Sequence, residues 1–187
     1  MLTSVLMVGV GGQGTVLSSD IVCDVALRCG FDVKKSEIHG MAQRGGSVVS
    51  QVIFGDKVYS PVIPLSGADI LLSFEKMEFL RYLEYKNDST VLLVNTHRIF
   101  PPGVAMGEDR YPEEEFAREV KKFKESYVID ALKIAKECGN LKVEGMVMLG
   151  KLASLLPFKD EIWEEVIKER VPKKTIENNL KAFYALR

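Results

Sequence analysis

The chain has 187 residues, a formal net charge of −1, 47% hydrophobic and 27% charged residues; this is enough for one α/β domain with a sizeable core, and short for two. The near-zero charge gives no electrostatic case for nucleic acid or an anionic membrane, and no run approaches the ~18 apolar residues of a membrane span. The three cysteines, Cys23, Cys29 and Cys138, are scattered without a C-x-x-C pair, so neither a disulfide framework nor an iron–sulfur cluster held by this chain is expected, and the expected location is cytoplasmic.

The first stretch, "TSVLMVGV", is β-branched and uninterrupted, the pattern of a strand buried on both faces. Val16, Leu17, Ile21, Val25 and Leu27 then recur at helical spacing up to Gly30, which stands where a helix C-terminal glycine belongs. "FDVKKSE" is expected as a second strand. "SVVSQVIFG" and "KVYSPVI" are expected to form a hairpin around "GDK", a turn signal between β-rich runs. "ADILLSF" and "STVLLVN" have the pattern of two further buried strands with "EKMEFLRYLEY" as the helix between them. After the break at Pro101, Pro102 and Gly103, "PEEEFAREVKKF" opens with acids that suit a helix N-terminus. "SYVIDALKIAKECGN" is expected to pass from an extended segment into a helix, followed by an apolar helix "GMVMLGKLASLLP" and two amphipathic ones in "DEIWEEVIKERV" and "KTIENNLKAFYAL". The sum is an α/β fold, a mostly parallel Rossmann-like sheet flanked by helices with a helical C-terminal part. Residues 1–187 are expected to form a single domain, with the C-terminal helices from about 112 packed on it.

Two polar stretches stand out. "GVGGQG", from Gly9 through Gly11, Gly12 and Gln13 to Gly14, fits G-x-G-x-x-G directly after a strand and before a helix. That context lets the backbone turn sharply and offers free N–H groups to an anion. A dinucleotide site would also need an acid ending the second strand; Glu37 is the nearest candidate and Asp32 comes too early. A nucleotide-like ligand and a tight structural turn both remain open. The second stretch, "EIHGMAQRGGSV", carries His39 with Glu37 and Arg44 as neighbours, and the pair Gly45 and Gly46. Arg44 is a fork donor suited to phosphate or carboxylate, and no second histidine or cysteine stands near His39 to make a metal site. The plainer reading is a structured loop with Arg44 in a surface ion pair. Both stretches are expected at the carboxyl edge of the sheet, where open α/β folds bind ligands. Other features read as packing or surface: His97 as a turn histidine, Cys23 and Cys138 as inert core thiols, and Met146 and Met148 as helix packing or, on a helix with small ends, equally a subunit contact.

Taken together, "GVGGQG", "SEIHGMAQRGGSV" and "GADILLSFEKMEFLRYL" resemble the gamma-type domain of 2-oxoacid:ferredoxin oxidoreductases, and within that family its indolepyruvate branch. The resemblance continues through "LLVNTHRI", "ECGNLKVEGMVMLGKLASLLP" and "ENNLKAFYAL", nearly the whole chain. It implies a small subunit, inactive alone, that works with a large (alpha) partner holding thiamine diphosphate, Mg²⁺ and iron–sulfur clusters. The implied reaction is oxidative decarboxylation of an aryl pyruvate, with coenzyme A accepting the acyl group and ferredoxin the electrons. His39, Arg44, Gly45 and Gly46 are then expected near substrate or coenzyme A phosphates, with Gly9, Gly11, Gly12, Gln13 and Gly14 supporting that edge. One departure is Gly145, which stands where the family usually has an asparagine before the "MVMLG" run. The rival readings are a gamma subunit of a pyruvate or branched-chain 2-oxoacid branch, a non-catalytic docking subunit, and an independent NAD-binding Rossmann dehydrogenase.

Overall fold

The computed structural model describes residues 2–38 and 46–187. In chain order the elements are β1 (Leu2–Val10), α1 (Thr15–Arg28), β2 (Asp32–Ile38), β3 (Ser47–Gly55), β4 (Ala68–Ser73), α2 (Lys76–Arg81), β5 (Lys86–Asn95), α3 (Pro102–Ala105), α4 (Glu113–Val120), β6 (Glu125–Ile129), α5 (Ala131–Glu137), α6 (Glu144–Leu155), α7 (Asp160–Arg170) and α8 (Ile176–Tyr184). The strands form one sheet in the order β2-β3-β1-β4-β5-β6. β1, β4, β5 and β6 run parallel as neighbours, while β3 lies antiparallel between β1 and β2. The fold class expected from the sequence is therefore the one observed.

The expected hairpin is not. β3 runs full length between β1 and β2, and residues 57–67 cross the sheet without joining a ladder. Pro61 and Pro64 have no N–H to donate to a strand partner. The segment is held by side chains instead: Val58 N–H donates to Asp32 Oδ2 (2.8 Å) and Ile63 N–H to Gln51 Oε1 (2.6 Å). With those bonds made, Val58 and Ile63 are buried like core residues.

Strand alternation divides the core in two. Val5, Met7, Val52, Phe54, Leu72 and Leu93 face the layer of α1, α5, α6, α7 and α8. Leu6, Val8, Val49, Ile53, Leu71 and Leu92 face α2, α4 and the 57–67 segment. Between the layers β1 has no polar face to spare, which is why its sequence is continuously apolar from Val5 to Val10. On the first face α6 and α8 approach so closely that a Cβ at Gly150 would overlap the Phe183 carbonyl oxygen and stand 2.9 Å from the carbonyl carbon. Trp163 and Phe183 pack beside this crossing, with ring centroids 5.8 Å apart and planes tilted by 36°. Cys23 and Cys138 are buried as expected, and burial pushes the Cys23 thiol up to about 12, so it stays protonated and unreactive.

Candidate functional site

The carboxyl ends of β1, β4, β5 and β6 share one edge of the sheet, and the glycine turn lies on it. Gly12 and Gly14 take φ values of +101° and +88°, conformations that side chains strain to reach. Gln13 braces the turn from inside. Its Oε1 accepts from Val10 N–H (2.8 Å) and its Nε2 donates to the Phe74 carbonyl (2.8 Å), joining the ends of β1 and β4. α1 begins directly after, with no side-chain cap and no acid in its first turn. Its first N–H groups therefore open toward a cavity of 290 Å³ lined by Gly11, Gly12, Gly14 and Thr15 among others. Thr15 Oγ1 is buried there without a hydrogen-bond partner among the described residues.

His39, Arg44 and Gly45 lie outside the described residues; Gly46 does not. Gly11 N–H donates to the Gly46 carbonyl (2.9 Å), so the glycine turn and the end of the histidine–arginine stretch are bonded directly. From the other side Ser47 donates its hydroxyl to Glu78 Oε2 (2.5 Å) and stands 3.3 Å from the Tyr82 hydroxyl. The expected convergence at this edge is thus present at the residue where the second stretch re-enters the sheet.

Glu78 is buried, and burial pushes its carboxyl above the usual range, with the Ser47 hydroxyl and Arg81 only partly offsetting this. A carboxyl raised in the folded state adds stability below its unfolded pKa of ~4.3 and loses it as pH rises through the folded value. Glu78→Gln keeps an acceptor for Ser47 without the charge. Its melting temperature is expected to gain on the unmodified chain between about pH 4 and neutrality and to match it below that. Melting curves across pH check this; a constant offset would mean that Glu78 is not held against its ionised form.

Glu75 organises the rest of the edge. It is 1% exposed and caps α2, its Oε2 accepting from Met77 N–H (2.6 Å) and Glu78 N–H (3.0 Å). Its Oε1 accepts from Ile99 N–H (3.0 Å) and the Tyr111 hydroxyl (2.5 Å), which draws the loop after β5 onto the edge. Burial, with that carboxylate beside it, holds the Tyr111 phenol well above its ordinary value. His97 also differs from the expected surface turn: Nδ1 lies 2.8 Å from Glu144 Oε2 at the start of α6. The next residue, Gly145, abuts the turn so tightly that a Cβ there would stand 2.6 Å from the Gln13 carbonyl oxygen. Glu75, Glu78, Tyr111 and Glu144 escape a sequence reading because their partners are 24 to 47 residues away or on other strands. Only Glu75, an acid just before a helical run, left a local trace.

The dinucleotide reading loses its geometry here. β3 separates β2 from β1, so an acid at the end of β2 stands two strand spacings, ~10 Å, from the turn's own strand. Glu37 is moreover paired with Lys35, which also binds Asp20 (2.5 Å). Among the described residues no three His, Cys, Asp or Glu side chains group as metal ligands.

The family described as pyruvate ferredoxin/flavodoxin oxidoreductase matches residues 4–185. The chain is 40% identical to indolepyruvate oxidoreductase subunit IorB of Archaeoglobus fulgidus, over 97% of this chain and 92% of that one. It is 38% identical to the Thermococcus kodakarensis protein of the same name, over 96% and 92%. Among solved structures, the gamma subunit of a keto/oxoacid ferredoxin oxidoreductase from Geobacter sulfurreducens superposes with a TM-score of 0.72 at 25% identity, covering 97% of this chain and 94% of that one.

Proposed function

The chain belongs to the pyruvate ferredoxin/flavodoxin oxidoreductase family, and from that premise we propose that it is the small subunit of an enzyme that oxidatively decarboxylates aryl pyruvates to aryl-acetyl-coenzyme A. In that reaction the bond between the carboxylate and the oxo carbon breaks and carbon dioxide leaves. The acyl carbon joins the coenzyme A sulfur, the thiol proton is released, and two electrons pass to ferredoxin. Thiamine diphosphate, which the large partner would hold together with Mg²⁺ and iron–sulfur clusters, would supply carbanion-stabilising chemistry. This chain contributes its sheet edge. Gly9, Gly11, Gly12, Gln13 and Gly14 shape the floor, Gly45 and Gly46 let backbone approach a ligand, and His39 and Arg44 reach substrate carboxylate or coenzyme A phosphates. The observation that carries the reading is the Gly11-to-Gly46 hydrogen bond, which extends the β1–β3 ladder one residue past Val10 and Ser47 and so sets the two polar stretches side by side at the sheet edge. The names of the similar IorB proteins support the aryl pyruvate as substrate.

The test is the complex purified with its large partner, followed by arylpyruvate- and coenzyme A-dependent dye reduction. Arg44→Ala and His39→Ala are expected to leave assembly intact and lower turnover on the order of 10²-fold, the scale of a misplaced substrate. Unchanged turnover would make the stretch scaffolding and this chain a docking subunit.

A further inference from the structure

The loop after β5 carries an aromatic side chain that the reading above does not use. Phe100 is 53% exposed, yet it is not loosely held. Its ring meets Tyr111 edge to face, with centroids 5.4 Å apart and planes at 76°. The same buried carboxylate, Glu75, fixes both partners, through Ile99 N–H on one side and the Tyr111 hydroxyl on the other. Pro101 and Pro102 stiffen the chain immediately after it. A ring so fixed loses little entropy when it takes up a ligand.

Its surroundings are concave and charged. Phe100 stands between two cavities, one of 360 Å³ that reaches Gly46 and Ser47 and one of 560 Å³ that reaches His97 and Arg98. Each holds a half-exposed guanidinium at its rim. Arg81 lies 3.1 Å from Glu78 and Arg98 only 3.8 Å from Glu113, so both keep donors for a further anion. Cores of protein interfaces are depleted of charge, whereas ligand sites combine an aromatic wall with a few placed polar groups. The denser exposed apolar run of the chain is elsewhere, at Tyr59, Val62 and Leu65.

We infer that Phe100 is the stacking platform for a planar aromatic ring carrying an anionic tail, the tail meeting Arg81 in the cavity that reaches Gly46. This rests on the proposed function, which supplies two such molecules: coenzyme A, with its adenine and phosphates, and the aryl pyruvate itself.

The assembled complex distinguishes them by calorimetric binding of coenzyme A and of indole-3-pyruvate to the unmodified, Phe100→Ala and Phe100→Trp forms. Loss of a stacked ring weakens binding about tenfold or more, so Phe100→Ala is expected to raise Kd for one of the two ligands by that factor. Phe100→Trp is expected to restore it. The ligand affected identifies the ring. Equal Kd values in all forms overturn the inference, as does failure of the unmodified complex to bind either ligand. Failure of Phe100→Ala to assemble overturns it too, since Phe100 would then be a subunit contact. Turnover by the unmodified complex, measured in parallel, tests the proposed function independently of Phe100.

Discussion

Gln13→Ala is expected to lower the melting temperature of the chain by about 4–24 °C and to abolish most turnover of the assembled complex. The side chain is 6% exposed and serves two buried main-chain groups, the Val10 N–H and the Phe74 carbonyl. Alanine leaves both without their side-chain partner at a buried position. Each orphaned group costs about 1–3 kcal/mol, and a domain of this size loses about 2–4 °C per kcal/mol. Turnover suffers for a separate reason. The Gln13 carbonyl packs on Gly145 and the adjoining Gly11 N–H holds Gly46, so a relaxed turn moves both sides of the proposed site. Gln13→Glu separates the two bonds: it keeps an acceptor for Val10 N–H but sets a carboxylate oxygen against the Phe74 carbonyl. It is expected to be at least as damaging near neutral pH. A melting temperature within a degree of the unmodified chain for Gln13→Ala would show that the brace carries no load.

Gly150→Ala is expected to be the most damaging single methyl group added to any glycine among the described residues. On α6 the added carbon meets the backbone carbonyl of Phe183 on α8, and backbone cannot rotate aside as a side chain can. Overpacking of a well-filled core costs about 1–3 kcal/mol, and this contact belongs at the upper end because a whole helix must shift. α8 also carries Phe183 against Trp163, the sole tryptophan. Denaturant unfolding followed by Trp163 emission therefore reports the displacement directly, as a lower midpoint and an altered native spectrum. Ser154→Ala, exposed on the same helix, is the control and is expected to change the unfolding free energy by less than about 0.5 kcal/mol. Equal midpoints for the two variants would mean that α6 and α8 are not in close contact in solution.

The glycine at 145 is accounted for by the same kind of contact. A side chain at this position would have to pass the Gln13 carbonyl oxygen, which a Cβ would meet at 2.6 Å. The turn and the start of α6 therefore fit each other as a pair, and a side chain at 145 requires a differently placed turn.

What the sequence determined by itself was whatever depends on short-range pattern. Uninterrupted apolar runs marked β1, β4 and β5, because a strand buried on both faces has no polar side to show. Helical spacing and glycine stops marked α1 and α5, whose following glycines, Gly30 and Gly139, have φ of +85° and +86°. The glycine turn was legible for the same reason: strand, glycines and helix follow one another within a few residues. Tertiary structure alone decided what those pieces meet. That β3 intervenes between β1 and β2, which removes the dinucleotide geometry, depends on pairings that leave the same alternation in either order. The failed hairpin turned on Asp32 and Gln51 capturing the backbone of Val58 and Ile63 from 26 and 12 residues away. The Glu75 and Glu78 bonds to Tyr111 and Ser47 join residues 36 and 31 positions apart. Such bonds carry no local signature, since their energy comes from burial that exists only once the sheet edge has assembled.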